Sequence, residues 1–349
     1  MRIEQMVSRA KEDNASDIHI ICGLSPKYRI SGELEDMEDA AATGQDCLDI
    51  ARELAGSEEA FDRLMAVGEL DLAAFIADSR CRIHLFKQQG IPSLALRILS
   101  ENIPELDRLG LPLGVLDLPK LHKGIVLVTG ETGSGKSTTL AAIIDNINHN
   151  YKRHIVTLED PVEYVYKPDL CAINQREIGR DTNSFASGLR ASLREDPNVI
   201  LIGEMRDRDT IETAITAAET GHLVFGTLHT GSASDAVDRI VQVFPEAAQQ
   251  QIRLQLSMVL QAVLTQQLIQ KKGGGRVLAA EYMIVTDAIR NLIRTGNTPQ
   301  IANAVATSAE IGGQTMDQAI IRLVRQGLIT RENALHYAVN KDYVSRNMG

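Results

Sequence analysis

The chain has 349 residues, 44% of them apolar and 23% charged, with a formal net charge of −10. That length suits about two domains with at least one substantial core, and the acidic balance argues against nucleic acid as the main partner, which wants a basic face. Four cysteines (Cys22, Cys47, Cys81 and Cys171) lie scattered with no Cys-x-x-Cys pair, which disfavours a zinc site or disulfide framework and fits a reducing cytoplasm.

The opening "MRIEQMVSRAKEDN" has no apolar centre, so it is not a signal peptide, and no apolar run is long enough to cross a bilayer. Aromatics are only 4% and tryptophan is absent, so stacking platforms for single strands are not expected either. Over residues 1–99 the pattern is mixed. "DIHIIC" and "KYRISGELE" alternate in part with period two, and Gly32 reads as a turn between short strands. Between Asp46 and Leu64 the apolar Leu48, Ile50, Ala51 and Leu54 recur at helical spacing. "ELDLAAFI", "SRCRIHLFK" and "SLALRIL" read as three further strands, so the grouping predicts an α+β domain with an antiparallel sheet.

Residues 100–122 carry Pro104, Pro112, Pro119 and two glycines and read as a linker. From 123 to 349 the pattern changes. "GIVLVTG", "HIVTL", "NVILI" and "LVFGTLH" are continuous apolar strands separated by amphipathic helices, as in a largely parallel α/β sheet buried on both faces. Ser232 with Asp235 marks the start of one helix and Pro245 its stop. A Gln-rich helix is expected to run to about Gln270, followed by the loop "KKGGG" and short terminal helices.

"GETGSGKS", Gly130 to Ser137, follows a buried strand and opens an amphipathic helix, the context a phosphate-binding loop requires. Its glycines let backbone N–H groups converge on phosphate oxygens. Lys136 can neutralise the β/γ charge, and the Ser137 hydroxyl can ligate Mg²⁺. The positive N-terminus of the next helix faces the same anion. ATP binding is the expectation.

Ligands of open α/β sheets collect beyond the carboxyl ends of the strands. Glu159, Asp160 and Glu163 follow "HIVTL", Glu204 follows "VILIG", and His229 ends "LVFGTL". Where many such folds end a strand in a metal-holding aspartate, this chain has Gly203 and then Glu204. His222 and His229 stand seven residues apart on one strand, about 23 Å if extended, so they cannot share a metal. His222 is left with packing, interface or chemical roles open.

Together, "GETGSGKSTT", "TLEDPVEY", "NQREIGRD", "LREDPNVILIGEMRD" and "AAETGHLVFGTLHT" resemble the secretion ATPase superfamily. "AIRNLIR", Ala288 to Arg294 (Ala288, Ile289, Arg290, Asn291, Leu292, Ile293 and Arg294), is similar to the signature of its PilT-type twitching-motility members. The resemblance implies a homo-hexameric ring with a RecA-like P-loop ATPase core and a smaller α+β PAS-like N-terminal domain. It implies a cytoplasmic motor, peripheral to the membrane, that uses ATP and Mg²⁺ to retract a type IV pilus through an inner-membrane platform protein. Thr132, Gly133, Ser134, Gly135, Lys136, Ser137 and Thr138 would cradle the phosphates and Mg²⁺. Glu163 would be the general base, Glu204 would hold Mg²⁺ through water, and His229 would sense the γ-phosphate. Arg80, Arg82 and Arg97 become candidates to reach nucleotide, some of them in a neighbouring subunit. The rival readings are an assembly or type II secretion ATPase, which usually carries a longer N-terminal extension and a four-cysteine insertion, and an accessory retraction paralogue. A non-hydrolysing regulator is a further class, opposed by the intact Lys136, Glu163 and Glu204.

Overall fold

The computed structural model describes residues 2–30, 33–37, 40–99 and 102–348. Its chain forms two compact units, Met1–Asn102 and Ile103–Gly349.

In the first unit, α1 (Ile3–Glu12) precedes β1 (Asp17–Ile20), β2 (Lys27–Ile30) and β3 (Glu33–Asp36). Helices α2 (Gly44–Ala55) and α3 (Glu58–Val67) follow, then β4 (Glu69–Ile76), β5 (Ser79–Gln88) and β6 (Ile91–Ile98). The strands pair antiparallel in the order β3-β2-β1-β6-β5-β4. Alternation sorts the faces: Cys81, Ile83 and Leu85 are buried in the core with the helices, while Arg80, Arg82 and His84 take the opposite face. The helical pattern of Asp46–Leu64 is two helices. Gly56 adopts a left-handed φ of 73° after α2, and the Ser57 hydroxyl accepts from Ala60 N to start α3. The turn expected at Gly32 falls outside the described residues.

The second unit alternates strands and helices: β7 (Gly124–Thr129), α4 (Lys136–Asn150), β8 (His154–Glu159), β9 (Ala172–Glu177), α5 (Phe185–Ser192), β10 (Val199–Ile202), α6 (Arg208–Glu219) and β11 (Leu223–Leu228). It continues through α7 (Ala233–Gln242), α8 (Glu246–Val259), β12 (Leu260–Gln270) and β13 (Arg276–Ile284) to α9 (Asp287–Thr295), α10 (Ile301–Ala306), α11 (Met316–Arg325), α12 (Arg331–Tyr337) and α13 (Lys341–Asn347). Among the described residues its sheet runs β13-β12-β7-β11-β10-β8-β9, parallel except for β13. Both faces are covered, which is why the strands read as unbroken apolar runs. Ile125 and Leu127 pack with α6, α7 and α8, and Val126 and Val128 with α4.

Two expectations need correction. Much of the stretch read as a linker is packed chain: Leu106–Leu109 and Leu113–Lys120 form 3-10 turns whose Leu106, Val115 and Leu118 are buried beside α4. The Gln-rich helix does not reach Gln270. It ends at Val259, and Leu260–Gln270 is strand β12 between β7 and β13. A strand enclosed on both faces loses its alternation, and no turn residue separates it from α8, so periodicity could not divide them. Strand β9 also went unread. Parallel register aligns Thr129 of β7 with Leu228 of β11, and Ile202 of β10 with Leu158 of β8. Four loops therefore leave the sheet at one edge.

A candidate nucleotide site at the strand ends

The loop between β7 and α4 is shaped by close approach. At Gly130, φ is 138°, and an added Cβ would lie 2.4 Å from the Gln266 carbonyl oxygen and 2.7 Å from Ser134 Oγ. Only glycine lets the loop run this near β12. Gly133 and Gly135 take φ of 79° and 94°, and α4 starts directly afterwards at Lys136. Lys136 is 9% exposed, and its Nζ donates to the carbonyls of Gly130 at 2.7 Å and Glu131 at 2.9 Å. Burial lowers the affinity of this ammonium for its proton, while Glu204 and Glu163 oppose that shift. The two carboxylates therefore both act on the lysine.

Glu163 sits on the loop after β8, and its neighbours hold that loop in place. The Glu159 carboxyl turns inward, accepting from Thr157 Oγ1 at 2.6 Å, from Gln175 Nε2 at 3.2 Å and from the Glu163 backbone N–H. Burial pushes its pKa up against these hydrogen bonds. Gln175 of β9 also donates to the Tyr164 carbonyl at 2.8 Å and accepts from Tyr166 N at 3.0 Å. Glu177 accepts from Val162 N at 3.2 Å, and the Tyr164 hydroxyl meets Thr138 Oγ1 at 2.9 Å. The "NQREIGRD" motif is thus the frame of the Glu163 loop. Asp160 is exposed and precedes a cis Pro161.

Glu204 leaves β10 beside two partners. Arg206 pairs with its Oε1, and His229 Nε2 lies 3.3 Å from the same oxygen. Burial, followed by the charge of Lys136, pushes the His229 pKa down, with Glu204 opposing and Arg206 adding to the fall. Gly203 is explained by crowding: an added Cβ would sit 3.1 Å from the Leu158 carbonyl oxygen and 3.3 Å from Glu159 Cα.

The residues present suit a triphosphate with Mg²⁺. Ser134 Oγ, in the loop itself, is buried and has no hydrogen-bond partner among the described residues. Lys136 and the α4 N-terminus favour an anion there. The exposed Ser137 hydroxyl and Glu204 are oxygen donors suited to a hard cation.

Residues 1–336 match the family described as Type II/IV secretion system protein. The chain belongs to that family. It is 42% identical to the type IV pilus retraction ATPase PilT of Pseudomonas aeruginosa over 96% of this chain and 97% of that protein. It is 35% identical to the type IV pilus ATPase PilU of the same organism over 97% of this chain and 89% of that one. A crystal structure of the pilus retraction motor PilT with bound ADP superposes with a TM-score of 0.91 at 45% identity, covering 99% of each chain.

Within the second unit, His222 and the "AIRNLIR" segment of this secretion-family chain lie away from the loop. His222 stands before β11, its Nδ1 2.9 Å from the Ala217 carbonyl oxygen, at the opposite end of the strand from His229. "AIRNLIR" forms most of α9. Ile289 and Ile293 are buried and Leu292 packs on the core, while Ala288, Asn291 and Arg294 face outward. Arg290 donates to the Ser257 and Met258 carbonyls at 2.6 and 3.2 Å, closing the end of α8. In the first unit, Arg97 and Arg82 are cross-strand partners, and Arg97 Nε donates to the largely buried Asp17 at 2.8 Å. Arg29 lies on the other side of Asp17 at 3.8 Å, and Arg80 stacks 5.9 Å over Phe75. Sequence reasoning missed Gln175, Gln266 and Gln267. Isolated glutamines read as solvated until the strands carrying them are placed. No described helix is long and apolar enough to cross a membrane.

Proposed function

We propose that this protein is an ATP-hydrolysing motor that powers retraction of a type IV pilus. It works as a homo-hexamer on the cytoplasmic face of the membrane, coupled to an inner-membrane platform protein. Its second unit is the RecA-like motor and its first a PAS-like domain. The observation that carries the reading is the convergence of Lys136, Glu163, Glu204 and His229 on one phosphate loop.

The loop amides from Thr132 to Thr138 hold the phosphates, and Lys136 balances their charge. Ser137 and Glu204 would hold a magnesium ion there, which would supply positive charge against that of the phosphates. Glu163 takes the proton of the attacking water. His229, uncharged near neutral pH because its pKa is pushed down, can donate to Glu204 through Nε2 and so report the state of that carboxylate. Arg80, Arg82 and Arg97 are candidates to stabilise phosphate charge, some from a neighbouring subunit. The outward face of α9 is the candidate surface for coupling hydrolysis to retraction.

Lys136→Ala should abolish turnover, and Glu163→Gln should retain ATP without hydrolysing it. Undiminished hydrolysis in either variant would overturn the assignment of that residue. Deletion in the native host separates the roles. Abundant immobile pili support retraction, loss of pili points to assembly, and retraction that persists unaided points to an accessory role.

A further inference from the structure

One row of residues crosses four strands of the second unit's sheet beneath the phosphate loop. Leu228 of β11 pairs with Thr129 of β7, Thr129 with Thr265 of β12, and Thr265 with Glu281 of β13. The two threonine hydroxyls meet at 2.8 Å and are buried. Thr129 is the last strand residue before Gly130, and Leu228 the last before His229. Glu281 therefore stands in register with the starts of both the phosphate loop and the His229 segment.

Glu281 Oε1 accepts from Ala233 N at 2.8 Å, and the same carboxyl accepts from the Met316 backbone N–H. Ala233 and Met316 open α7 and α11, and amides at that position have no partner inside their own helix. The capping hydroxyls of Ser232 and Thr315 serve Asp235 N and Gln318 N instead. One carboxyl thus completes two helix starts. The α11 side is anchored. Tyr282 and Gln314 exchange backbone hydrogen bonds at 2.8 and 3.1 Å, and Asp317 accepts from Val339 N and Asn340 N at 2.8 and 3.0 Å. The α7 side carries His229. Four residues, His229–Ser232, join β11 to Ala233, and they are loosely packed. An added Cβ at Gly231 would meet nothing within 4 Å, and Thr230 Oγ1 is buried without a hydrogen-bond partner among the described residues.

We propose that Glu281 is a positioning residue for ATP hydrolysis: by holding the start of α7 against β13 and α11, it sets where His229 stands relative to Glu204. The proposal rests on the reading of His229 as a group that acts at the Glu204 carboxylate. A side chain at 281 that cannot accept releases Ala233 N, and the short segment before it then shifts by the small distances to which an aligned site is sensitive.

The test is a double-mutant cycle on the full chain, read as ATP turnover beside an ATP binding titration. Glu281→Ala should lower turnover roughly tenfold to a hundredfold, with ATP affinity nearly unchanged. Glu281→Gln, which keeps an acceptor oxygen, should recover most of that loss. In a His229→Ala background, Glu281→Ala should cause no further loss, because residues that act as a unit are not additive. Glu281→Leu fills the space without accepting and carries the same cycle if Glu281→Ala does not fold. An equal fold-loss from the Glu281 change in both backgrounds would overturn the proposal, since a general structural role acts independently of His229. So would parental turnover in Glu281→Ala. Failure of the underlying reading is distinguishable: His229→Ala alone would then hydrolyse ATP as fast as the parent.

Discussion

Restoring an aspartate at position 203 should damage this protein. The added Cβ would stand 3.1 Å from the Leu158 oxygen, 3.3 Å from Glu159 Cα and 3.6 Å from Phe185 Cε1. The Leu158 oxygen cannot retreat freely, because it accepts from Gly203 N at 2.7 Å within strands paired on both sides. Overpacking of this kind costs about 1–3 kcal/mol. At roughly 2–4 °C per kcal/mol for a unit of this size, Gly203→Ala should lower Tm by about 4–8 °C for a cost near 2 kcal/mol. Gly203→Asp should fall further, since it also brings a carboxylate toward the Leu158 oxygen and Glu159. Thermal unfolding of the two variants gives the first readout. The second is ATPase activity of Gly203→Asp combined with Glu204→Gln, which should stay inactive because the new acid cannot occupy the place of Glu204. A Gly203→Asp protein as stable as the parent, with activity restored in the double variant, would refute the steric reasoning.

Gln175→Ala removes two hydrogen bonds to the Glu163 loop and a third to Glu159 at the end of β8. Turnover should drop by roughly tenfold to a hundredfold from misplacement of the base, with ATP affinity nearly unchanged, as single-turnover kinetics beside a binding titration would show. Arg290→Ala uncaps α8 and should cost about 1–2 kcal/mol in urea unfolding, with ATPase activity retained per folded molecule. Glu281 is a buried carboxyl that accepts from Ala233 N at 2.8 Å, and burial pushes its pKa up despite that bond. The folded state therefore holds this proton more tightly than the unfolded state. Its contribution is fully present below the ordinary glutamate value and is lost as pH rises through the raised one. Glu281→Gln should flatten that decline, so its stability relative to the parent should rise with pH across that window in urea titrations.

How much of this was legible in the sequence depended on whether a feature is local. The phosphate loop was readable because strand, glycines, lysine and helix form one contiguous run, and each part has a backbone reason to be there. The acids at the strand ends were readable for a similar cause, since parallel strands put their carboxyl ends on one edge. Strand β12 was not. It joins α8 without a turn and is buried on both faces, so neither punctuation nor period marks it. With it went Gln266 and Gln267, whose meaning depends on β12 lying against the loop. Asp17 was missed for a different reason. It pairs with Arg97 and Arg29, and only the order of β2, β1 and β6 makes these residues neighbours.

The same distinction bears on which glutamate does which work. Glu204 lies in an electrostatic group with Arg206 and His229, so its carboxylate is already engaged by positive and donor groups. Glu163 lies in another group, where the frame of Glu159, Gln175 and Glu177 holds the backbone and the side chain is left exposed. A base needs a lone pair it can offer to water, and an exposed carboxylate on a held backbone supports the role proposed for Glu163. The contacts of Glu204 with Arg206 and His229 leave it the carboxylate to which the cation-ordering role is proposed. Gly203 follows from this division. The strand end is pressed too closely against β8 to carry a side chain, so the acid stands one residue later, where Arg206 and His229 can reach it.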